Sequence, residues 1–214
     1  MSPTYRTSTT QAGGAGTTVT LAVPSGTQYN DLLLAAIYTD NATIGTVPTG
    51  YTQIVQIAAT GFWLTLYWKR AGIESGSHVW TSSGATFVAG FVARYSGVHK
   101  TDALPYNAVG AGDIGTSASA TASAITPTVN NSTLVYITTN VNGNTYTPPA
   151  GMTERFDFNM EMADSIVPAG STGSATATLT SAAWAAVLIA LTPASEPFPV
   201  YSRRPAPFKP GRAR

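Results

Sequence analysis

The chain reads as an all-β protein, an antiparallel β-sandwich of jelly-roll type, on three observations. Runs rich in Thr, Val, Leu and aromatic residues recur at short intervals, each bounded by Gly, Pro, Asn or Ser clusters. No stretch of a dozen residues carries apolar positions at helical spacing. Only 10% of the 214 residues are charged, too few to clothe long helices.

Taken in order, the first half offers strands at 17–23, 32–39, 52–58, 62–70, 78–82 and 85–95. The second half repeats the series at 117–126, 133–140, 153–158, 162–167, 174–179 and 183–191. The likeness extends to single residues. At an offset of 101, Leu33-Leu34 falls on Leu134-Val135, and TVPTGYTQIVQ (46–56) falls on TPPAGMTERFD (147–157). At an offset of 97, Ala71-Gly72 and Gly76-Ser77 are repeated shortly before the next strand, near Ala169-Gly170 and Gly173-Ser174. The P-x-G corner is a turn signal, with proline restricting the entry and glycine supplying positive φ. We therefore expect one sandwich domain over 17–195, with halves at about 17–98 and 117–194, each with too few strands to cover its own apolar face. Residues 1–16 are expected as a flexible N-terminal arm and 196–214 as a separate tail.

Composition narrows the chemistry. With no cysteine, disulfides, zinc–thiolate sites and thiol nucleophiles are excluded. The N-terminus lacks the basic-then-apolar pattern of a secretory leader, and the longest apolar run, 184–191, is too short to span a bilayer. No membrane association is expected. Charge is uneven. Residues 1–195 hold six Lys/Arg against nine Asp/Glu, whereas 196–214 hold five against one. The tail's Arg203, Arg204, Phe208, Lys209, Arg212 and Arg214 sit among prolines that favour an extended path. Lacking the aromatic interleaving of a single-strand binder, this segment is read as docking on an acidic groove of a neighbouring protein, with no nucleic-acid partner.

Candidate sites are sparse. His78 and His99 have no metal-ligand spacing and no nucleophile elbow, and are expected as surface or rim imidazoles. In ERFDFNMEMAD (154–164), Asp157 and Glu161 would share a face of one extended strand. A glycosidase-like pair is the chemical alternative to a solvated strand face. Asp40-Asn41 and 140–144 (NVNGN) suggest calcium only weakly, because carboxylates are few. In GFWLTLYWKR (61–70), Phe62, Leu64, Leu66 and Trp68 form a core face. Trp63, Tyr67 and Lys69 lie on the other, to be covered by another subunit, by a sugar ring or by the chain itself. No catalytic, cofactor or metal residues are assigned.

NDLLLAAIYTD, VPTGYTQI, LYWKRAGIESGSHVWT, ARYSGVHKTDALPY, PPAGMTERFD and AAWAAVLIALTPA together resemble a family of β-sandwich proteins of tailed bacteriophages and prophages. The resemblance runs from about residue 19 to 193. It departs at Asn30, where the family tends to have Gly, and at His99, where Asp is common. It implies a non-enzymatic virion structural protein, such as a capsid decoration or minor tail protein. Expected partners are the major capsid protein or other virion proteins and further copies of the chain, on the capsid exterior. The alternative is a tail-associated module binding a host surface glycan.

Overall fold

The computed structural model describes residues 1–100 and 104–194, apart from the side chains of 10–12, and across them the chain forms fifteen strands and no helix. In the first half these are β1 (Thr4–Ala15), β2 (Thr18–Ala22), β3 (Leu32–Asp40), β4 (Ile44–Thr46), β5 (Thr52–Ala59), β6 (Phe62–Arg70), β7 (Ser77–Ser82) and β8 (Phe87–Ser96). The second half has β9 (Tyr106–Val109), β10 (Asp113–Ala122), β11 (Ser132–Asn140), β12 (Tyr146–Thr147), β13 (Thr153–Phe158), β14 (Met160–Val167) and β15 (Ala175–Leu191).

The strand order reveals a doubled unit. One large sheet runs β1-β8-β3-β6-β5 and the other β10-β15-β11-β14-β13, so sequence-equivalent strands hold equivalent places. Over the first lies a small sheet, β2-β7-β4. Over the second, residues 119–122 of β10 pair with 175–178 of β15, whose other edge pairs with β12, which is the same order again. What β7 and β8 do as two strands, the 17-residue β15 does as one.

Each half therefore has a core of its own, yet its large sheet also carries an apolar face that it does not cover alone. Val19, Leu21, Leu33, Tyr67, Trp80 and Val92 pack between the first pair of sheets. Leu134, Tyr136, Leu179, Trp184 and Leu188 pack within the second half. A third core joins the two large sheets, with Leu34, Leu64, Phe91 and Tyr95 meeting Val135, Ile137, Met162 and Ile189. The large sheets are thus inner layers, which is why β3 and β11 are buried on both faces almost throughout. Buried threonines on β11 remain compatible with this because their hydroxyls donate to carbonyls: Thr138 to Ala185 at 2.8 Å, Thr139 to Asn159 at 3.0 Å and Thr133 to Pro3 at 2.6 Å.

One expectation about the edges changes, while the one about the repeated corner holds. Residues 1–16 are not an arm in this fold, since β1 pairs along β8 from Thr4↔Ser96 to Ala15↔Phe87. Alternating Thr and Ser positions suit an edge strand, and composition alone cannot distinguish one from a polar arm. The duplicated corner is a turn in both copies. Tyr51 N donates to Pro48 O and Met152 N to Pro149 O, at 3.2 and 3.1 Å. Gly50 and Gly151 have φ of 87° and 79°, values that disfavour any side chain.

Trp80, fully buried on β7, touches Tyr51 edge-on at 4.9 Å and lies beside Tyr67 and His78. Trp80→Ala is expected to lower stability by about 3–5 kcal/mol in urea unfolding. A loss below about 1 kcal/mol would show that the small sheet contributes little to the fold.

Candidate functional site

The aromatic face on β6 is covered by the chain itself. Tyr67 is buried in the core beneath the small sheet, Thr65 is buried beside it, and Trp63 is half-buried. Lys69 is tied to Glu74 at 3.0 Å and lies 5.7 Å from the Tyr51 ring. A sugar or a subunit stacking on Trp63, Tyr67 and Lys69 together is thus replaced by β2, β7 and β4. The covering residues are recognisable only once Trp80 is placed above Tyr67. The tail residues Arg203, Arg204, Phe208, Lys209, Arg212 and Arg214 lie outside the described residues.

His78 is buried, not a surface or rim imidazole. Its Nδ1 lies 3.0 Å from the Tyr51 hydroxyl and its Nε2 3.2 Å from Glu74. Burial and the nearby Lys69 push the His78 pKa down against the pull of Glu74. For Glu74, the Gly72 N–H, Lys69 and His78 outweigh burial and hold its carboxyl below the usual range. This network braces the small sheet against the 71–76 loop. His99 also has a structural setting: its N donates to Thr192 O, and Arg70 donates to its carbonyl.

The acidic cluster is a hairpin and not one extended strand. The chain reverses at Asn159, whose φ is 56°, so Asp157 on β13 and Glu161 on β14 face each other across the ladder. Glu161 is fully buried, and neither of its oxygens meets a hydrogen-bond donor among the described residues. This overturns the reading of a solvated strand face for that residue. Burial, reinforced by Glu154 and Asp157, raises its pKa to about 8, so it is largely protonated at neutral pH. Burial also raises Asp157, against the N–H of Tyr146, which donates to both carboxylate oxygens. Of the charges that follow the corner, Glu154 is exposed, whereas Arg155 is engaged within the chain. Arg155 binds Asp164 at 2.9 Å, and Asp164 accepts from the Tyr95 hydroxyl at 3.1 Å. The register pairs Gln56 with Thr65 and Asp157 with Glu161 at corresponding places. The first half thus keeps a neutral amide–hydroxyl contact of 3.4 Å where the second places two carboxyls.

The structure brings together two segments weighed separately for calcium. Asp40-Asn41 and 140–143 line one cleft of about 540 Å³ between the halves, with Gly61 and Asn159 from the adjacent hairpins and Tyr38 and Phe87 beneath. Asp40 is committed elsewhere, since its carboxylate accepts from Thr86 N at 2.7 Å, Phe87 N at 2.8 Å and the Thr86 hydroxyl. Those bonds outweigh burial and hold its pKa low. No group of three or more metal-ligating side chains occurs among the described residues, nor any helix long and apolar enough to cross a membrane. Sequence reading missed Tyr38, Phe87 and Asn159 as cleft residues. The signal available was that two equivalent strands, β3 and β11, both run into Asn-containing loops.

No family model, curated protein or solved structure matches the chain. The phage resemblance therefore rests on the motifs alone.

Glu161 sets a pH dependence with a definite sign. Between pH 4.5 and about 8 the folded chain keeps a proton that the unfolded chain releases, so stability falls as pH rises through this window, with a slope approaching about 1.4 kcal/mol per pH unit. Asp157 adds in the same direction. Glu161→Gln imitates the protonated carboxyl and should flatten the decline in urea-unfolding free energy between pH 5 and pH 8. Equal declines in both proteins would overturn the buried-proton assignment.

Proposed function

We propose that the chain is a structural protein of a tailed-phage virion, mounted on the capsid exterior as a decoration protein through its basic C-terminal segment. The observation that supports this reading is the polarity of the body. The described chain leaves at Ala194, whose N donates to Gly97 O at 2.7 Å next to the Val98↔Pro193 bridge. Ser2 and Pro3 lie against the same Gly97. Both ends of the body thus meet at one pole. The cleft lies at the opposite pole, at the Phe87 end of β8, about 30 Å away for a ten-residue strand.

A body tethered at one pole through 196–214 presents the other pole outward. The buried charges also suit a structural role. Asp31–Arg94, Asp164–Arg155 and Glu74–Lys69 are each spent on holding strands and loops together, and Glu161 is buried away from the water that hydrolysis would need at both carboxyls of such a pair. The second reading, a tail-associated or surface glycan-binding module, is favoured by one observation, the cleft at the free pole.

Deleting 197–214 is expected to abolish incorporation into particles and leave the thermal midpoint of the body unchanged. Full incorporation of the truncated protein would remove the decoration reading.

A further inference from the structure

We infer that the cleft between the two halves is a binding site for a neutral carbohydrate, held by the side-chain amides of Asn41, Asn142 and Asn159 over the Tyr38 and Phe87 rings. The inference is independent of where the protein sits in a particle.

Four observations carry it. First, the cleft is composite. Tyr38, Asn41 and Gly61 come from one half and Asn142, Gly143 and Asn159 from the other, so it exists only where the two repeats meet. Its volume of about 540 Å³ falls in the range of small-molecule sites.

Second, the three amides are unused. Asn140 is fully engaged, donating to Asn144 O and the Tyr146 hydroxyl and accepting from the backbone of Asn142 and Asn144. It acts as the brace of the loop. By contrast, the side chains of Asn41, Asn142 and Asn159 have no hydrogen-bond partner among the described residues, although their backbones do. Asn41 N donates to Gly61 O, Asn142 N to Asn140 Oδ1, and Asn159 O accepts from Thr139. Anchored backbones carrying free amides are preorganised, and a primary amide both donates and accepts, as paired sugar hydroxyls require. Positive φ at Asn41 (49°) and Asn159 (56°) fixes how these side chains leave the turns.

Third, the floor is aromatic. Tyr38, only 7% exposed, stacks on Phe62 at 5.2 Å and meets Phe87 edge-on at 5.9 Å, holding the half-buried Phe87 ring as apolar surface for the C–H face of a sugar. Burial, with Asp40 nearby, raises the Tyr38 hydroxyl to about 12, so it remains a protonated donor. Fourth, the cleft holds one carboxylate, Asp40, which stays ionised and already accepts from residues 86 and 87. Its charge disfavours an anionic ligand, and no group of three or more metal-ligating side chains occurs among the described residues to hold a cation.

The test is a titration of the purified full chain by amide-detected NMR, with maltotetraose and chitotetraose as neutral probes and calcium and sialyllactose as charged ones. A neutral oligosaccharide should shift the side-chain NH₂ signals of Asn41, Asn142 and Asn159. Asn142→Ala, or Asn41→Gly with Asn159→Gly, should weaken that binding by about tenfold or more. Glycine suits both positive-φ positions, and an unchanged backbone spectrum shows that each variant is folded. The inference is overturned if no neutral probe shifts these signals at millimolar concentration, if calcium or sialyllactose shifts them instead, or if the variants bind as tightly as the parent.

Discussion

The fold depends on one constraint: β3 and β11 are apolar on both faces, and both faces must be kept from water. An apolar strand in the middle of a single two-layer sandwich would expose one side. Here the inner faces of the two large sheets cover each other and the outer faces are covered by the small sheets, so each central strand has protein above and below. At roughly 25 cal/mol per Å² of apolar surface removed from water, this arrangement outweighs the loss of a polar face on either strand. It also places the halves in contact, and with them the cleft.

Much of this was legible in the sequence. Most of the strands, the pseudo-repeat and the twin P-x-G corners follow from alternation, from glycine and proline, and from residues that recur at a fixed offset, but the short β4, β9 and β12 do not, and the strands expected at 174–179 and 183–191 are the single β15. The four-layer arrangement is less visible, because the covering segments, β2, β4, β7, β12 and residues 119–122 of β10, are short and look like ordinary edges. The same blindness affected β6. Its second face, with Tyr67, reads as exposed aromatic surface until Trp80 is known to lie above it. β1 was read as an arm because a Thr- and Ser-rich edge strand and a polar linker share a composition.

Site chemistry was less legible, since it arises between elements. Sequence spacing pairs Asp157 with Glu161 on one strand, whereas the reversal at Asn159 sets them opposite each other on two. The consequence is large for Glu161, which changes from a solvated anion to a buried acid. Asp40-Asn41 and the NVNGN loop lie about a hundred residues apart, and each carries too few carboxylates to mark a site by itself. Only the meeting of the halves joins them, and it does so after Asp40 has been engaged by another loop.

The single strand β15, standing where the first half uses two, also bears on mechanics. It pairs with β9, β10, β11 and β12, and the described chain leaves the body just beyond its last residues. A pull on the C-terminal end therefore enters the strand with four hydrogen-bonded neighbours, at the Val98↔Pro193 bridge, and is shared among them before any strand can peel away. The first half has no such continuous member, because the turn between β7 and β8 interrupts the path. The two repeats, alike in topology, are unlike as structural beams, because only the second has one strand running unbroken through both of its layers.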